Sequence, residues 1–171
     1  MIRAMRDTDI EPVAQIHAAA FTRQMQSLEW IRCNFNAFPR VQYFVAEVDG
    51  EIYGYIEWLQ KSGFRSEVVL ELEQIAVSPD RQGRGIGTEL IQLSFLMLAE
   101  QLRERGATIK SVIVTTRADN YAQRLYRSTL GAEVEATITK LYSADEVFMV
   151  ARHIALNGIT MAPTRVTSSA G

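Results

Sequence analysis

The sequence predicts a single domain of the α/β (α+β) class, in which helices flank a mixed sheet. Segments of alternating apolar and polar residues are interrupted by segments with apolar residues at helical spacing. The turn Asp49-Gly50 joins two alternating segments and is the strongest hairpin signal in the chain. A chain of 171 residues is long enough for one domain with a core of its own.

The first half is predicted to begin with a short strand and two helices. Thr8 and Glu11 have capping-box spacing and Pro12 fits only a first turn, so the first helix starts there. A change to a period of two then indicates strands. The predicted elements are a strand over 2–5, helices over 7–21 and 25–38, and strands over 41–48, 51–60 and 68–77.

Alternation in the strand over 68–77 assigns its residues to two faces. One face is predicted to carry Glu71, Glu73, Ile75 and Val77, and the other Leu70, Leu72, Gln74 and Ala76. Two carboxylates therefore share a face of the strand, which Pro79 ends.

The second half is predicted to continue with helices between strands. Gly106 closes a long helix, and Asp119 and Gly131 are the predicted N-cap and end of a shorter one. The predicted elements are a helix over 86–105, a strand over 109–116, a helix over 119–130, and strands over 133–142 and 146–154.

Composition and charge exclude several function classes. A formal net charge of −2 provides no basic surface for duplex nucleic acid. No apolar run approaches the roughly 20 residues needed to cross a membrane, and residues 1–12 lack the apolar core of a signal peptide. Cys33 is the only cysteine, which excludes a disulfide framework or multi-cysteine zinc site and indicates a reducing compartment. We therefore expect a cytoplasmic protein with no metal, nucleic-acid or membrane partner.

The glycine-rich stretch QGRGIG, at residues 82–87, lies between a predicted strand and a long predicted helix. Free N–H groups at a helix start attract anions, and glycine lets a ligand approach the backbone. A Walker loop is excluded because Gly87 is followed by Thr88 and Glu89 rather than by lysine. A dinucleotide fingerprint is disfavoured because it requires glycine where Thr88 stands.

Residues 82–87 resemble the Gln/Arg-x-x-Gly-x-Gly/Ala motif that binds the pyrophosphate of coenzyme A in the GNAT superfamily of N-acetyltransferases. As in that superfamily, the motif follows a strand ending in IAVSP. A second segment, ADNYAQRLYRSTLGA at residues 118–132, is similar to the superfamily's Asn-x-x-Ala-x-x-Leu-Tyr stretch. It departs from the pattern at Asp119, where asparagine is usual, and at Ala132, where phenylalanine is usual.

The resemblance implies a GNAT-type, mostly antiparallel central sheet, with acetyl-CoA as cosubstrate and a primary amine of a small molecule or peptide as acceptor. We expect residues 1–157 to form the acetyltransferase domain. Residues 158–171 lack periodicity and are expected to be a flexible tail, or an arm on a neighbouring subunit in a homodimer. The implied cofactor-binding residues are Ile75, Ala76, Val77, Arg81, Gln82, Gly83, Arg84, Gly85, Ile86, Gly87, Thr88, Asp119 and Asn120.

Transfer of an acyl group to an amine requires a base, stabilisation of the thioester oxygen and a proton for the departing thiolate. Glu71 and Glu73 both align with positions where the superfamily places a general base, and water is an alternative relay. We favour Glu73, which is closer to the glycine loop. The resemblance assigns the thioester oxygen to the backbone of residues 75–77 and the proton for the thiolate to Tyr126.

Other residues are weaker candidates. His17 and His153 are expected to be hydrogen-bonded structural residues, because no partner lies at catalytic spacing. Cys33 has no motif that would make it a nucleophile. The aromatic residues of the first two helices are first of all core candidates and are also candidates for the wall of an acceptor pocket: Phe21, Trp30, Phe35 and Phe38. Tyr53, Tyr55 and Trp58 alternate along the hairpin strand, one face of which is a further candidate for that wall.

Two functions follow from these expectations. The first is an N-acetyltransferase in which the amine attacks acetyl-CoA directly in a ternary complex; the carboxylates favour a cationic acceptor such as a polyamine, an amino sugar or a protein amino group. The second is a non-catalytic acyl-CoA-binding sensor or regulatory subunit. The second would need neither carboxylate nor Tyr126, so the presence of all three favours the enzyme.

Overall fold

The computed structural model describes residues 1–152 and 154 of the chain. Its helices and strands are β1 (Ile2–Ala4), α1 (Ile10–Ala20), α2 (Ser27–Phe35), β2 (Val41–Val48), β3 (Glu51–Gln60), β4 (Glu67–Val77), α3 (Ile86–Glu104), β5 (Thr108–Arg117), α4 (Gln123–Leu130), β6 (Glu133–Ile138) and β7 (Glu146–Ala151). His153 and the predicted tail over 158–171 lie outside the described residues.

Seven strands form one sheet in the order β1-β2-β3-β4-β5-β7-β6. β4 and β5 are parallel, with α3 as the crossover between them, and the other neighbouring strands are antiparallel. The predicted fold class, a mixed and mostly antiparallel sheet flanked by helices, is confirmed. The predicted hairpin turn is also confirmed, since Asp49 and Gly50 have φ angles of 52° and 83°.

Each face of the sheet buries its own core. The α3-side core contains strand residues with Leu90, Ile91 and Phe95 of α3, whereas the α1-side core contains strand residues with Val13 of α1 and Ile31 of α2. Both faces are therefore covered by helices, as the pattern of apolar residues requires.

A β-bulge interrupts β4 at Glu73. Leu72 pairs with Trp58 and Gln74 pairs with Glu57, which leaves Glu73 as an extra residue on β4. A bulge breaks the alternation of side chains between the two faces of a strand.

The predicted assignment of β4 residues to faces is therefore wrong beyond the bulge. Leu72 and Ile75, predicted on opposite faces, both pack in the α3-side core. Leu72 and Ala76, predicted on the same face, belong to different cores, since Ala76 packs with α1. The side chains that follow the bulge are thus directed to the opposite face from the one predicted.

Two predicted helix starts are also corrected. The Thr8 and Glu11 capping box is not formed: Asp9 occupies the N-cap position of α1 and makes no side-chain capping bond, because its carboxylate accepts from Arg3. Asp119 does not cap α4, which begins four residues later than predicted, at Gln123. The predicted end of α4 at Gly131 is confirmed by its φ of 69°.

Candidate active site

The glycine-loop pocket has a volume of about 490 Å³ and lies between the end of β4, the start of α3 and the segment that leads into α4. It brings together the predicted residues Ile75, Ala76, Val77, Arg81, Gln82, Gly83, Gly85, Ile86, Gly87, Thr88 and Asn120. Arg84 and Asp119 were also predicted but do not line it. Sequence reasoning missed four residues of its wall: Ala20, Tyr121, Ala122 and Leu125.

The backbone of the glycine loop shapes one wall of this pocket. Gly85 is the N-cap of α3 with a φ of 82°, a left-handed conformation that side chains other than glycine adopt at a cost. A Cβ atom at this position would meet no protein atom within 4 Å. The first turn of α3, Ile86 to Thr88, follows directly along the wall, so its free N–H groups provide the positive end of a helix dipole.

The ends of β4 and β5 separate beside this pocket. Their parallel pairing ends at Glu71 and Ile113, although the two strands continue to Val77 and Arg117. Ser78, which directly follows the last residue of β4, donates its N–H to the carbonyl of Tyr53 on β3 at 2.7 Å.

This hydrogen bond fixes the direction of the preceding N–H groups. Because backbone groups alternate along a strand, the N–H groups of Val77 and Ile75 point away from β3, toward the gap left by β5. Both residues line the glycine-loop pocket. Two backbone donors are therefore placed where a ligand between the strands would meet them.

Two loop side chains stabilise the pocket in different ways. Gln82 donates its Nε2 to the carbonyl of Val77 at 3.0 Å, which ties the glycine loop to the end of β4. The Arg81 guanidinium stacks on the Tyr53 ring at 4.1 Å and donates to the Tyr53 hydroxyl at 3.0 Å. Arg81 also pairs with Asp80 at 3.3 Å. Arg81 is thus held at the pocket wall, whereas Arg84 is exposed outside it.

The segment before α4 is held by polar side chains. Asn120 accepts a hydrogen bond from the N–H of Ala122 at 2.9 Å and donates to Thr116 at 2.9 Å. Asp119 instead accepts two hydrogen bonds from the Arg117 guanidinium, at 2.9 and 2.8 Å. Asn120 is therefore the residue of the two that faces the glycine-loop pocket.

A second pocket, the carboxylate pocket, has a volume of about 830 Å³. It is lined by Ala20, Phe21, Thr22, Arg23, Gln24, Met25, Trp30, Glu73, Gln74, Arg117, Tyr142, Ser143 and Glu146. Ala20 belongs to both pockets, and Glu73 and Gln74 directly precede Ile75 on β4. The two pockets therefore meet along the end of β4.

Glu73 and Glu71, the two predicted base candidates, lie in different surroundings. Glu71 is 9% exposed and pairs with Lys61 at 2.7 Å. Glu73 lines the carboxylate pocket and forms no hydrogen bond or ion pair with any residue that the structure describes. Desolvation and the negative charge of Glu71 raise the pKa of Glu73, and Lys61 opposes this. The bulge thus presents Glu73, rather than Glu71, as a free carboxylate to the pocket.

Glu146 is a third carboxylate at this site, and sequence reasoning missed it. It is the first residue of β7, is 6% exposed and lines the carboxylate pocket. Burial raises its pKa, with Arg117 opposing and Asp119 supporting that shift. The only sequence signal was a charged residue at the start of an otherwise apolar strand.

A buried polar network lies behind the carboxylate pocket. With its amide oriented to satisfy both ends, Gln74 donates to the Tyr55 hydroxyl at 2.9 Å and to Glu57 at 3.3 Å, and accepts from Trp30 Nε1 at 3.3 Å. Glu57 is 1% exposed, and burial, together with the negative charges of Glu73 and Glu71, raises its pKa to about 8. The carboxyl group of Glu57 therefore lies behind the pocket wall and contacts it through Gln74.

Tyr126 lies in the α3-side core and is 5% exposed. Burial raises the pKa of its hydroxyl to about 12. It does not line either pocket, although its neighbour Leu125 lines the glycine-loop pocket. Its role as an acid stays a prediction.

The remaining candidates lie in several places. His17 is fully buried and hydrogen-bonded to Ser27 at 2.8 Å and Gln24 at 2.9 Å, as expected of a structural residue. Among the aromatic candidates, Phe21 and Trp30 line the carboxylate pocket, whereas Phe35, Phe38, Tyr53, Tyr55 and Trp58 do not. Cys33 is exposed on α2 outside both pockets.

Over residues 1–152 and 154, no three His, Cys, Asp or Glu side chains are grouped to hold a metal ion. Within the same part of the chain, every helix is too short or too polar to cross a membrane.

Comparison with protein families gives a match over most of the chain. The model of the acetyltransferase (GNAT) family matches residues 10–132. An uncharacterized N-acetyltransferase of Methanocaldococcus jannaschii is 37% identical over 71 residues, which cover 39% of this chain and 29% of that protein. The chain thus matches less than a third of the length of that relative.

Solved structures match over nearly the whole chain. The ribosomal-protein-alanine N-acetyltransferase of Brucella melitensis is 26% identical, with a TM-score of 0.68 over 89% of this chain and 99% of that one. An aminoglycoside 6′-N-acetyltransferase complexed with coenzyme A is 15% identical, with a TM-score of 0.71 over 91% of this chain and 98% of that one.

Proposed function

Because the chain belongs to the GNAT acetyltransferase family, we propose that it transfers an acetyl group from acetyl-CoA to a primary amine. The observation that carries this proposal is the meeting of the two pockets along residues 73–77 of β4. A pocket with free backbone donors adjoins a pocket with a free carboxylate. This is the arrangement that a thioester donor and an amine acceptor require.

The glycine-loop pocket is the proposed site of acetyl-CoA. The first turn of α3 would bind the pyrophosphate through its N–H groups, and Arg81 would add a positive charge. Gly85 adds no side chain to this wall, and its backbone is open, since a Cβ there would meet no protein atom within 4 Å. The fold itself is compatible with this ligand, since the aminoglycoside enzyme of the same fold is complexed with coenzyme A.

The carboxylate pocket is the proposed site of the acceptor amine. Glu73 would take the proton of the ammonium group, directly or through water, because its raised pKa makes it a better base than an ordinary carboxylate. Glu71 is less suited because Lys61 neutralises it. The Brucella relative is named for alanine of a ribosomal protein as its acceptor, which supports a primary amine in this pocket.

The proposed reaction is a direct transfer. The amine lone pair attacks the thioester carbonyl, and the N–H groups of Ile75 and Val77 stabilise the oxygen as it becomes negative. The C–S bond then breaks, the acylated nitrogen loses its remaining extra proton to water, and the thiolate of coenzyme A takes a proton from Tyr126 or from water. The products are an N-acetylated amine and coenzyme A, and no covalent enzyme intermediate forms.

Mass spectrometry of the full chain incubated with acetyl-CoA and pooled amines tests the proposal. The pool contains polyamines, amino acids, amino sugars and peptides with free N-termini or lysines. We expect one amine class to gain a single acetyl group. Calorimetric binding of acetyl-CoA without any acetylated product would contradict catalysis and support the non-catalytic acyl-CoA binder instead.

A further inference from the structure

Glu146 is a buried carboxylate that the proposed reaction does not use. It lies at the start of β7, directly opposite Arg117 in the pairing of β5 with β7. Only 6% of its surface is exposed, and it lines the carboxylate pocket together with Glu73. A buried charge of this kind is costly unless it has a partner.

No residue that the structure describes forms an ion pair with Glu146, and the positive charge of Arg117 opposes the effect of burial on its pKa only in part. Arg117, its nearest cation by strand register, is occupied by Asp119, to which it donates from both Nε and Nη2. The other cation of the pocket, Arg23, donates to Ser143 on the exposed rim. Over residues 1–152 and 154, Glu146 makes no hydrogen bond and no ion pair.

The carboxylate pocket therefore contains two carboxyl groups that have no ion-pair partner among the described residues, Glu73 on β4 and Glu146 on β7. A single ammonium group that pairs with Glu73 would leave Glu146 buried and unpaired. A ligand with two ammonium groups would satisfy both carboxylates. Its apolar linker would contact Phe21 and Trp30, which line the same pocket.

We propose that Glu146 is a specificity-determining residue that binds a second ammonium group of the acceptor, so that a diamine is the preferred substrate class. The inference rests on the proposed acetyl transfer, because it assigns the carboxylate pocket to the acceptor. Glu73 receives the amine that reacts, and Glu146 holds the amine that does not. Reaction at the first amine leaves the second still charged and bound.

Binding of two amines that differ by one charge tests this assignment. The full chain, saturated with coenzyme A, is titrated calorimetrically with 1,4-diaminobutane and with 1-aminobutane. The variants are Glu146→Gln, Glu146→Asp and the control Glu135→Gln. The control removes the same charge from an exposed side chain of β6, which pairs with Arg152. Steady-state kinetics with acetyl-CoA are measured on the same proteins.

We expect wild type to bind the diamine about tenfold or more tightly than the monoamine, because the second ammonium group gains a charge-assisted contact. Glu146→Gln removes this preference and raises KM for the diamine by a similar factor while kcat changes less than about twofold. Glu146→Asp restores part of the preference, and Glu135→Gln matches wild type. A purely structural role of Glu146 would instead change both amines alike.

Two results would overturn the inference: wild type without a preference for the diamine, or Glu146→Gln weakening both amines equally. A different result of the same experiments would contradict the proposed acetyl transfer. Preferential binding of the diamine without any acetylated product would contradict acetyl transfer and leave Glu146 as a diamine-binding residue. Acetylation of both amines at equal KM would support the transfer and overturn the role of Glu146.

Discussion

The two pockets that meet at β4 are built differently. Most of the glycine-loop pocket is lined by residues of two stretches, 75–88 and 120–125, and Ala20 of α1 completes the wall. The carboxylate pocket is formed by side chains from the end of α1, the loop before α2, β4, the end of β5 and the start of β7. The first pocket takes most of its wall from one short stretch with a recognisable motif, whereas the second combines residues from several separate parts of the chain.

The difference follows from what each pocket has to recognise. A phosphate is bound by N–H groups that every residue except proline carries, so the loop needs only glycine and a helix start. An amine is recognised by carboxylates at particular places, and different acceptors need different placements. We therefore expect substitutions in the two pockets to affect different kinetic quantities.

The largest expected effect is on kcat, and it should distinguish Glu73 from Glu71 on β4. Glu73→Gln should lower kcat by roughly 100-fold or more, because it removes the base. Glu71→Gln, which removes the same charge next to Lys61, should have a much smaller effect. In wild type, activity should rise as the pH passes the raised pKa of Glu73, since only the deprotonated carboxylate accepts a proton. Equal loss in both variants would contradict the assignment.

Substitution of Gly85 tests the backbone pocket. Gly85→Val should weaken acetyl-CoA binding by about tenfold or more, because it adds a branched side chain at the pocket wall and strains a left-handed residue. Gly106→Val is the matched control: Gly106 has a φ of 72°, and a Cβ there also meets no atom within 4 Å, but it lies outside the pocket. Calorimetry should show weaker binding for the first variant alone. Similar affinities for both variants would show that the loop does not hold the cofactor.

Glu57, which lies behind the carboxylate pocket, should make the stability of the folded chain depend on pH. Its pKa is raised from 4.5 to about 8 in the folded chain. The folded state therefore binds this proton more tightly than the unfolded state, and the stabilisation present at low pH is lost as the pH rises through this window. As the pH rises, the free energy of unfolding of wild type should fall by up to about 1.4 kcal/mol per pH unit more than that of Glu57→Gln. Urea unfolding between pH 5 and pH 8 measures this.

An exposed glutamate provides the control for this experiment. Glu133→Gln, on the exposed strand β6, should leave the pH dependence of wild type unchanged. Parallel curves for wild type and Glu57→Gln would mean that Glu57 is ionised in the folded chain.

The smallest expected effect concerns Tyr126. Tyr126→Phe should lower kcat by less than about tenfold, because the thiol of coenzyme A, with a pKa near 8.5, is a tolerable leaving group unaided. Because burial raises the pKa of the Tyr126 hydroxyl to about 12, ionisation of this hydroxyl should cause no loss of activity below about pH 10. An unchanged kcat at every pH would exclude Tyr126 as the acid.

The same contrast explains what could be predicted from the sequence. The strands, the helices and most of the glycine-loop pocket follow from local periodicity and one short motif. The carboxylate pocket does not, because Glu146 and Glu73 are brought together only by the strand order, in which β7 lies between β5 and β6.

Two local errors have physical causes that a pattern does not reveal. The bulge at Glu73 depends on how β4 pairs with β3, so alternation alone assigned the later residues to the wrong face. Asp119 has the residue type of an N-cap, but the neighbouring Arg117 guanidinium competes for its carboxylate. In each case a contact elsewhere in the fold overrides a local preference.

Direct passage of the acetyl group between the two pockets is the central claim, and a single-turnover experiment tests it. The protein is mixed rapidly with one equivalent of acetyl-CoA and an excess of an amine that it acetylates, and the mixture is quenched at intervals for intact-protein mass spectrometry. We predict that acetylated amine and coenzyme A appear together at the same rate while the mass of the protein stays constant. A transient gain of one acetyl group by the protein, on Cys33 or another residue, before the amine is acetylated would contradict the account.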